Sequence, residues 1–249
     1  MSELVTILIP LFGHPLTPLE AYALESCQKH LGDFPITFLK SDSLALSDEI
    51  RDICPNADSV SLDPRYLASR QGYTKLLLSG ELYDQFSWSR YLLIMELNAY
   101  ISRNELAYWC RQGYDFIQSY PEHQQDTSLM QSLTRRLNPG RYLSTESGGT
   151  LAFERGNGVS LRRVKAFEKL IKGRKRAVNH FLNEYPNPEN DSLFLEYYIN
   201  RWRPQLITPN ALTRRHFAQN QDLLQDFSAQ ATLPFSVTAL DHMPVRDRF

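Results

Sequence analysis

The sequence predicts an α/β fold, a mostly parallel central sheet flanked by helices in a single domain. Short β-rich apolar runs alternate with amphipathic helical stretches through residues 5–118. The run at 91–97, YLLIMEL, is apolar without alternation, as a strand covered on both faces must be. At 249 residues, 42% hydrophobic and 12% aromatic, the chain can bury one large core.

The elements follow in order. Residues 5–12 form a β-rich run that exits through Gly13-His14-Pro15. Thr17, Pro18 and Glu20 supply an N-cap, a first-turn proline and a capping box for a helix whose apolar face is Leu19, Ala23, Cys27 and Leu31, stopped by Gly32. Strands are expected at 35–39 and 58–62, and a helix starting at 71–79 leads into a strand at 91–101 that ends in the polar residues Glu96, Asn98 and Tyr100. A short helix capped at Asn104 and a strand at 114–117 come next. Residues 122–149 are the least regular stretch, and the Ser147-Gly148-Gly149 within it reads as a mobile lid or acceptor loop. Beyond the Gly156-Asn157-Gly158 turn, one or two helices are expected over 161–185, another over 191–202, and a short strand at 205–208. The runs at 91–101 and 150–162 read as two walls of one pocket, because ligands of open α/β sheets gather at the carboxyl ends of the strands.

Composition narrows the function. With 27 Lys plus Arg against 28 Asp plus Glu, a net charge of -1 gives no global field toward nucleic acid or an anionic membrane, so any polyanion site must be local. The three cysteines, Cys27, Cys54 and Cys110, have neither C-x-x-C spacing nor a nearby His, which argues against a disulfide framework or structural zinc and for a reducing cytoplasm. No apolar run approaches the ~18 residues of a membrane span, and residues 4–12 lack a basic flank or cleavage site, so a soluble protein is expected, with peripheral membrane contact left open.

Segments VTILIP, GYTKLLLS (72–79), YLLIMELNAYI (91–101), ELAYWCRQGYDFI (105–117), GNGVSLR (156–162), NDSLF (190–194) and LPFSVTALDH (233–242), in this order and spacing, resemble a family of uncharacterised glycosyltransferase-like proteins with a GT-A type fold, known as a domain of unknown function. The resemblance spans nearly the whole chain. It implies a Rossmann-type half over 1–118 that binds a nucleotide-sugar donor, and an acceptor-side half over 119–249 for a glycan, lipid-linked or protein hydroxyl. In that family the strand at 91–101 usually ends in Leu-Asp-Ala, the first carboxylate of the Asp-x-Asp motif. Here that residue is Asn98, and the second carboxylate position is Tyr100. Asp241 and His242 are then the remaining candidates to ligate manganese or magnesium beside a nucleotide sugar.

The resemblance also places Asp191 at the start of the late helix, as the base that would take the acceptor proton. An Asp there is equally an ordinary helix cap. Asn157, flanked by glycines, suits sugar hydroxyls, with Gly158 allowing close backbone approach, though Asn-Gly is also a common turn. Glu96 and Asn98 are candidates for ribose or sugar hydroxyls and Tyr100 for stacking. Lys75 and Arg162 are candidates for the diphosphate, since a leaving nucleoside diphosphate needs charge compensation. Two other readings compete: a degenerate protein that binds a nucleotide sugar or glycan without turnover, and a polyanion-binding module built on the basic cluster at 162–176. The even charge balance argues against nucleic acid as the partner.

Overall fold

The structure, a computed structural model, describes residues 3–13, 15–119, 158–184, 191–199, 204–221 and 233–239. In the N-terminal half the order is β1 (Glu3–Pro10), α1 (Pro18–Leu31), β2 (Ile36–Ser41), α2 (Asp48–Ile53), β3 (Asp58–Leu62), α3 (Pro64–Leu67), α4 (Arg70–Leu77), α5 (Gly80–Gln85) and β4 (Ser89–Met95). Then come β5 (Tyr100–Ile101), α6 (Leu106–Arg111), β6 (Phe116–Gln118), β7 (Val159–Arg163), α7 (Val164–Gly173) and α8 (Lys175–Glu184). A π-helical segment (Leu193–Tyr198), α9 (Ala211–Phe217), β8 (Ala218–Asn220) and β9 (Ser236–Thr238) complete the described elements.

The main sheet has six strands in the order β3-β2-β1-β4-β7-β6. β1 pairs in parallel with both β2 and β4, and β2 in parallel with β3, while β7 runs antiparallel to both its neighbours. The chain thus leaves β1 toward one edge, returns, and places β4 on β1's other side. That reversal opens a crevice between the carboxyl ends of β1 and β4.

Both faces of the sheet are covered, which is why its strands read as unbroken apolar runs. Val5, Ile7 and Ile9 of β1 and Tyr91, Leu93 and Met95 of β4 pack with α1, α2 and α6 on one side. Leu8, Leu92 and Ile94 pack with α4, α5, α7 and α8 on the other. A small second sheet, β5-β9-β8, lies against the first core. The α1 start forms as expected: Thr17 Oγ1 accepts from Glu20 N at 3.2 Å and Glu20 Oε2 from Thr17 N at 2.8 Å.

Several expectations are corrected. The run at 91–101 is not one strand: it breaks after Met95, and Tyr100 restarts in the second sheet. Residues 159–163, expected as helix from Leu161, form β7. Their apolar and polar residues alternate, Val159 and Leu161 against Ser160 and Arg162, which fits a period of two. The strand expected at 205–208 is a loop, in which the Ile207 carbonyl accepts from Asp115 N at 2.8 Å. α6 begins after Glu105 with no side-chain cap, so Asn104 does not cap it. The irregular stretch 122–149 with its lid reading lies outside the described residues. No helix among the described residues is long and apolar enough to cross a membrane.

All three cysteines are buried and free. Burial pushes the Cys27 thiol far up, Cys54 to about 11 and Cys110 to about 12. Since the thiolate is the nucleophile, native protein at pH 8 should resist iodoacetamide at all three positions while urea-unfolded protein labels fully, as read by mass spectrometry. Rapid native labelling of Cys27 would show that α1 does not stay packed on the sheet.

Candidate functional site

The crevice between β1 and β4 holds a cavity of about 380 Å³, within the ~300–1,000 Å³ range of small-molecule sites. Its floor is the exit of β1, Pro10 to Gly13. One wall is the segment after β2, Leu44, Ala45 and Ser47, with Ile50 of α2. The opposite wall is the end of β4, Glu96, Leu97 and Asn98, together with Arg70. The lining is mostly apolar, and its polar side chains are Glu20, Ser47, Arg70, Glu96 and Asn98.

Arg70 is the first residue of α4, which Ser69 caps by accepting from Gly72 N at 3.1 Å. That start places the guanidinium 2.5 Å from Glu96 Oε2 and 5.3 Å over the Phe12 ring. Phe12 is itself braced edge-on against Tyr73 of the same helix at 5.3 Å. Burial pushes the Glu96 carboxyl up, and Arg70 pulls it part of the way back. Burial, then the Glu96 carboxylate, push the Tyr73 phenol well up, and its hydroxyl has no hydrogen-bond partner among the described residues.

Behind this pair lies a second, fully closed one. Arg162 of β7 and Asp191 are 1% and 2% exposed, with Nη1 2.8 Å from Oδ2. Nη1 also donates to the Tyr83 hydroxyl at 3.1 Å and Nε to Ser160 Oγ at 3.1 Å, while the contact with Asp191 Oδ2 is an ion pair without hydrogen-bond geometry. The rings of Phe116 and Phe167 stand 5.8 and 5.3 Å from the guanidinium carbon. Burial lowers the Arg162 pKa, but Asp191 and then Tyr83 outweigh it and raise it overall.

The expected site residues therefore separate. Glu96 and Asn98 meet in the cavity wall. Tyr100 does not: it is 8% exposed and stacks on Tyr22 at 5.2 Å in the core, because the chain turns into the second sheet before reaching it. Lys75 is exposed on α4 and is not among the cavity-lining residues. Arg162 and Asp191 pair with each other inside the molecule, and neither is among the residues that line this cavity. Gly158 approaches the second sheet closely: its carbonyl accepts from Glu96 N at 2.7 Å, its φ is +59°, and a Cβ there would stand 2.6 Å from Thr238 Cγ2. Asn157, Asp241 and His242 lie outside the described residues.

The basic cluster is mostly a solvated face, on which Lys165, Lys169, Lys172, Arg174, Lys175 and Arg176 are exposed, and part of it is paired. Lys172 Nζ is 2.8 Å from both Asp84 and Glu168, Arg163 pairs with Asp115 at 3.2 Å, and Arg174 donates to Gln205. Arg70 and Tyr73 were missed from sequence. The available signal was Ser69 as an N-cap, which puts residue 70 at the start of a helix facing the strand ends.

A divalent ion needs several hard oxygen ligands. At this cavity Glu96 is engaged by Arg70, Glu20 accepts from Thr17 N, Asn98 offers an uncharged amide, and among the described residues no three His, Cys, Asp or Glu side chains are grouped to hold an ion. The described donor set does not fit such an ion.

The chain belongs to the family described as "Protein of unknown function (DUF5672)", whose model matches residues 56–237. No curated protein matches it in sequence. In fold it is similar to a glycosyltransferase involved in the glycosylation of the major capsid of PBCV-1, with TM-score 0.51, 12% identity, and 98% of this chain and 96% of that one covered. It is also similar to the galactosyltransferase LgtC in complex with donor and acceptor sugar analogs, with TM-score 0.50, 11% identity and coverage of 94% and 86%. An active-site mutant of LgtC gives TM-score 0.52, 12% identity and coverage of 95% and 88%. The fold is the GT-A type of these glycosyltransferases.

Two substitutions test this layout. Asp191→Asn leaves a buried guanidinium without its counter-charge and should lower stability by roughly 3–5 kcal/mol, whereas Asp191→Leu with Arg162→Met should cost clearly less than the two single changes summed. Urea unfolding reads both, and additive costs would mean the two side chains do not pair. Gly158→Ala, at a left-handed φ with no room for Cβ, should cost about 1–3 kcal/mol in the same assay.

Proposed function

We propose that the protein is a glycosyltransferase that takes a nucleotide-activated sugar in the cavity between β1, β2 and β4 and passes the sugar to a hydroxyl of a glycan, lipid-linked or protein acceptor. The observation that carries this reading is the position and make-up of the cavity. It lies at the carboxyl ends of parallel strands where the strand order reverses, with a mostly apolar lining and a few polar groups.

Leu11, Leu44, Ala45 and Ile50 form a slot suited to the flat face of a base. Glu96 and Asn98 line the cavity after β4, where ribose or sugar hydroxyls would find an acceptor and an amide that both donates and accepts. The solved structures of like fold are glycosyltransferases, one of them holding donor and acceptor sugar analogs, which supports donor and acceptor partners of the same kinds here. Transfer to the acceptor needs a base within reach of the attacking hydroxyl.

Of the described carboxylates, Glu96 in the cavity lining is paired with Arg70, Glu20 in the lining accepts from Thr17 N, and Asp191 is closed on Arg162. That observation favours a second reading, a protein that holds a nucleotide sugar without turning it over.

A thermal-shift screen of nucleotide sugars, followed by mass spectrometry of glycan, lipid and protein acceptors, separates the readings. A matching donor at a hundredfold excess over its Kd should stabilise the fold by about 2.7 kcal/mol. Ala45→Trp, which fills the slot from an exposed position, should weaken that donor by about tenfold or more, ~1.4 kcal/mol, without lowering the melting temperature. Binding with product supports the transferase, binding without product on any acceptor supports the second reading, and no binding by any nucleotide sugar rejects both.

A further inference from the structure

The exposed part of the basic run at 162–176 takes no part in the cavity, and the fold gives it a definite arrangement. Val164, Phe167, Leu170 and Ile171 are the face of α7 that enters the core. Lys165, Lys169 and Lys172 recur at spacings of four and three, which sets them on the opposite face, and all three are exposed. Where α7 gives way to α8 the chain adds Arg174, Lys175 and Arg176, exposed as well. Beside them, Asp84 of α5 and Glu168 both contact the one Lys172 Nζ at 2.8 Å, whereas Lys165, Lys169, Lys175 and Arg176 form no ion pair among the described residues. A chain whose charges balance to -1 overall therefore carries a strongly positive local surface.

An aromatic side chain lies at the same end of the sheet. Tyr91 of β4 pairs with Arg163 of β7, so the chain entering β4 and the chain leaving β7 for α7 sit together. There Trp88 is 44% exposed, its ring 6.2 Å from that of the buried Phe86. An indole that is half in contact with protein and half open suits the boundary between lipid headgroups and water. Single-stranded nucleic acid would instead call for rings interleaved with the cations. The rings that α7 and α8 could offer, Phe167 and Phe181, are fully buried, and His180 Nδ1 stands 2.6 Å from Glu184 Oε2.

We propose that the exposed face of α7 and the start of α8, with Trp88 at the end where α7 begins, form a docking surface for the anionic headgroups of a phospholipid bilayer. The attachment is peripheral and electrostatic: each cation close to an anionic surface strengthens it about fivefold, and salt screens it. None of these residues lines the cavity, so the surface is independent of the donor reading and stands or falls without it.

Flotation of the full chain with vesicles of phosphatidylcholine, alone or with about 30% phosphatidylglycerol, tests this. In about 0.1 M NaCl the anionic vesicles should be bound at least about tenfold more tightly than the neutral ones, and about 0.5 M NaCl should remove the advantage. Lys165→Gln, Lys169→Gln, Lys175→Gln and Arg176→Gln together should bring the anionic vesicles down to the neutral level at an unchanged melting temperature. Lys29→Gln with Arg51→Gln removes exposed cations from α1 and α2, on the other side of the sheet, and should leave binding within about twofold. Trp88→Ser should weaken the anionic vesicles by about threefold or more.

Equal binding to both vesicles, no binding to either, an advantage that survives in the quadruple variant, or one lost equally on removing Lys29 and Arg51 overturns the proposal. Binding unchanged by Trp88→Ser overturns the place of Trp88 in it. A short DNA duplex and a single-stranded RNA serve as competing polyanions: salt-sensitive binding to either that fails in the quadruple variant, without vesicle binding, overturns the membrane assignment in favour of nucleic acid.

Discussion

The buried pair of Arg162 and Asp191 is the constraint on which the arrangement around the site depends. A guanidinium at 1% exposure on a central strand is tolerable only with its charge met and its N–H groups engaged. Asp191 supplies the charge, Tyr83 and Ser160 take hydrogen bonds, and Phe116 and Phe167 close over the planar group. These partners come from α5, β6, β7, α7 and the segment at 191–199, so one side chain ties the antiparallel strand to both the N-terminal half and the late helical segment. The surrounding cost of desolvation makes the geometry all-or-none: losing either charge strands the other.

That pair also explains how the candidate site is divided. Tyr73 on α4 lies in the field of both ion pairs, and burial with the Glu96 carboxylate keeps its phenol protonated far above neutral pH. On one side of it the charges are sealed in the core. On the other, Arg70 and Glu96 face the cavity, half-exposed in the case of the arginine. The same residue types are thus sealed in the core in one place and open to a cavity in the other.

The position of the cavity follows from topology. β1, with β2 on one flank and β4 on the other, is the turning point of the sheet. The chain leaves its carboxyl end through Leu11, Phe12 and Gly13, whose φ of +90° suits glycine. The antiparallel β7 then fixes where β4 stops, because the Gly158 carbonyl takes the Glu96 N–H and brings Glu96 and Asn98 to the rim.

Much of this was legible in the sequence. Unbroken apolar runs gave away strands with both faces buried, and the Thr17-Pro18-Glu20 signature and Gly32 marked both ends of α1, because capping is decided by hydrogen bonds within a few residues. Glu96 and Asn98 stood out as polar residues closing an apolar run. What local pattern does not carry is who meets whom across the chain. The alternation at 159–163 spans too few residues to outweigh the helical stretch that follows it, so β7 emerged only from pairing with β4 and β6. Tyr100 read as a cleft residue until the second sheet claimed it, and Arg162 and Asp191 read as separate functional groups until burial made them partners. The sequence by itself determined the elements and the fold class, whose signals are short in range. Only the tertiary structure decided which charges face the cavity and which neutralise one another, because desolvation and ion pairing depend on neighbours that are distant in the chain.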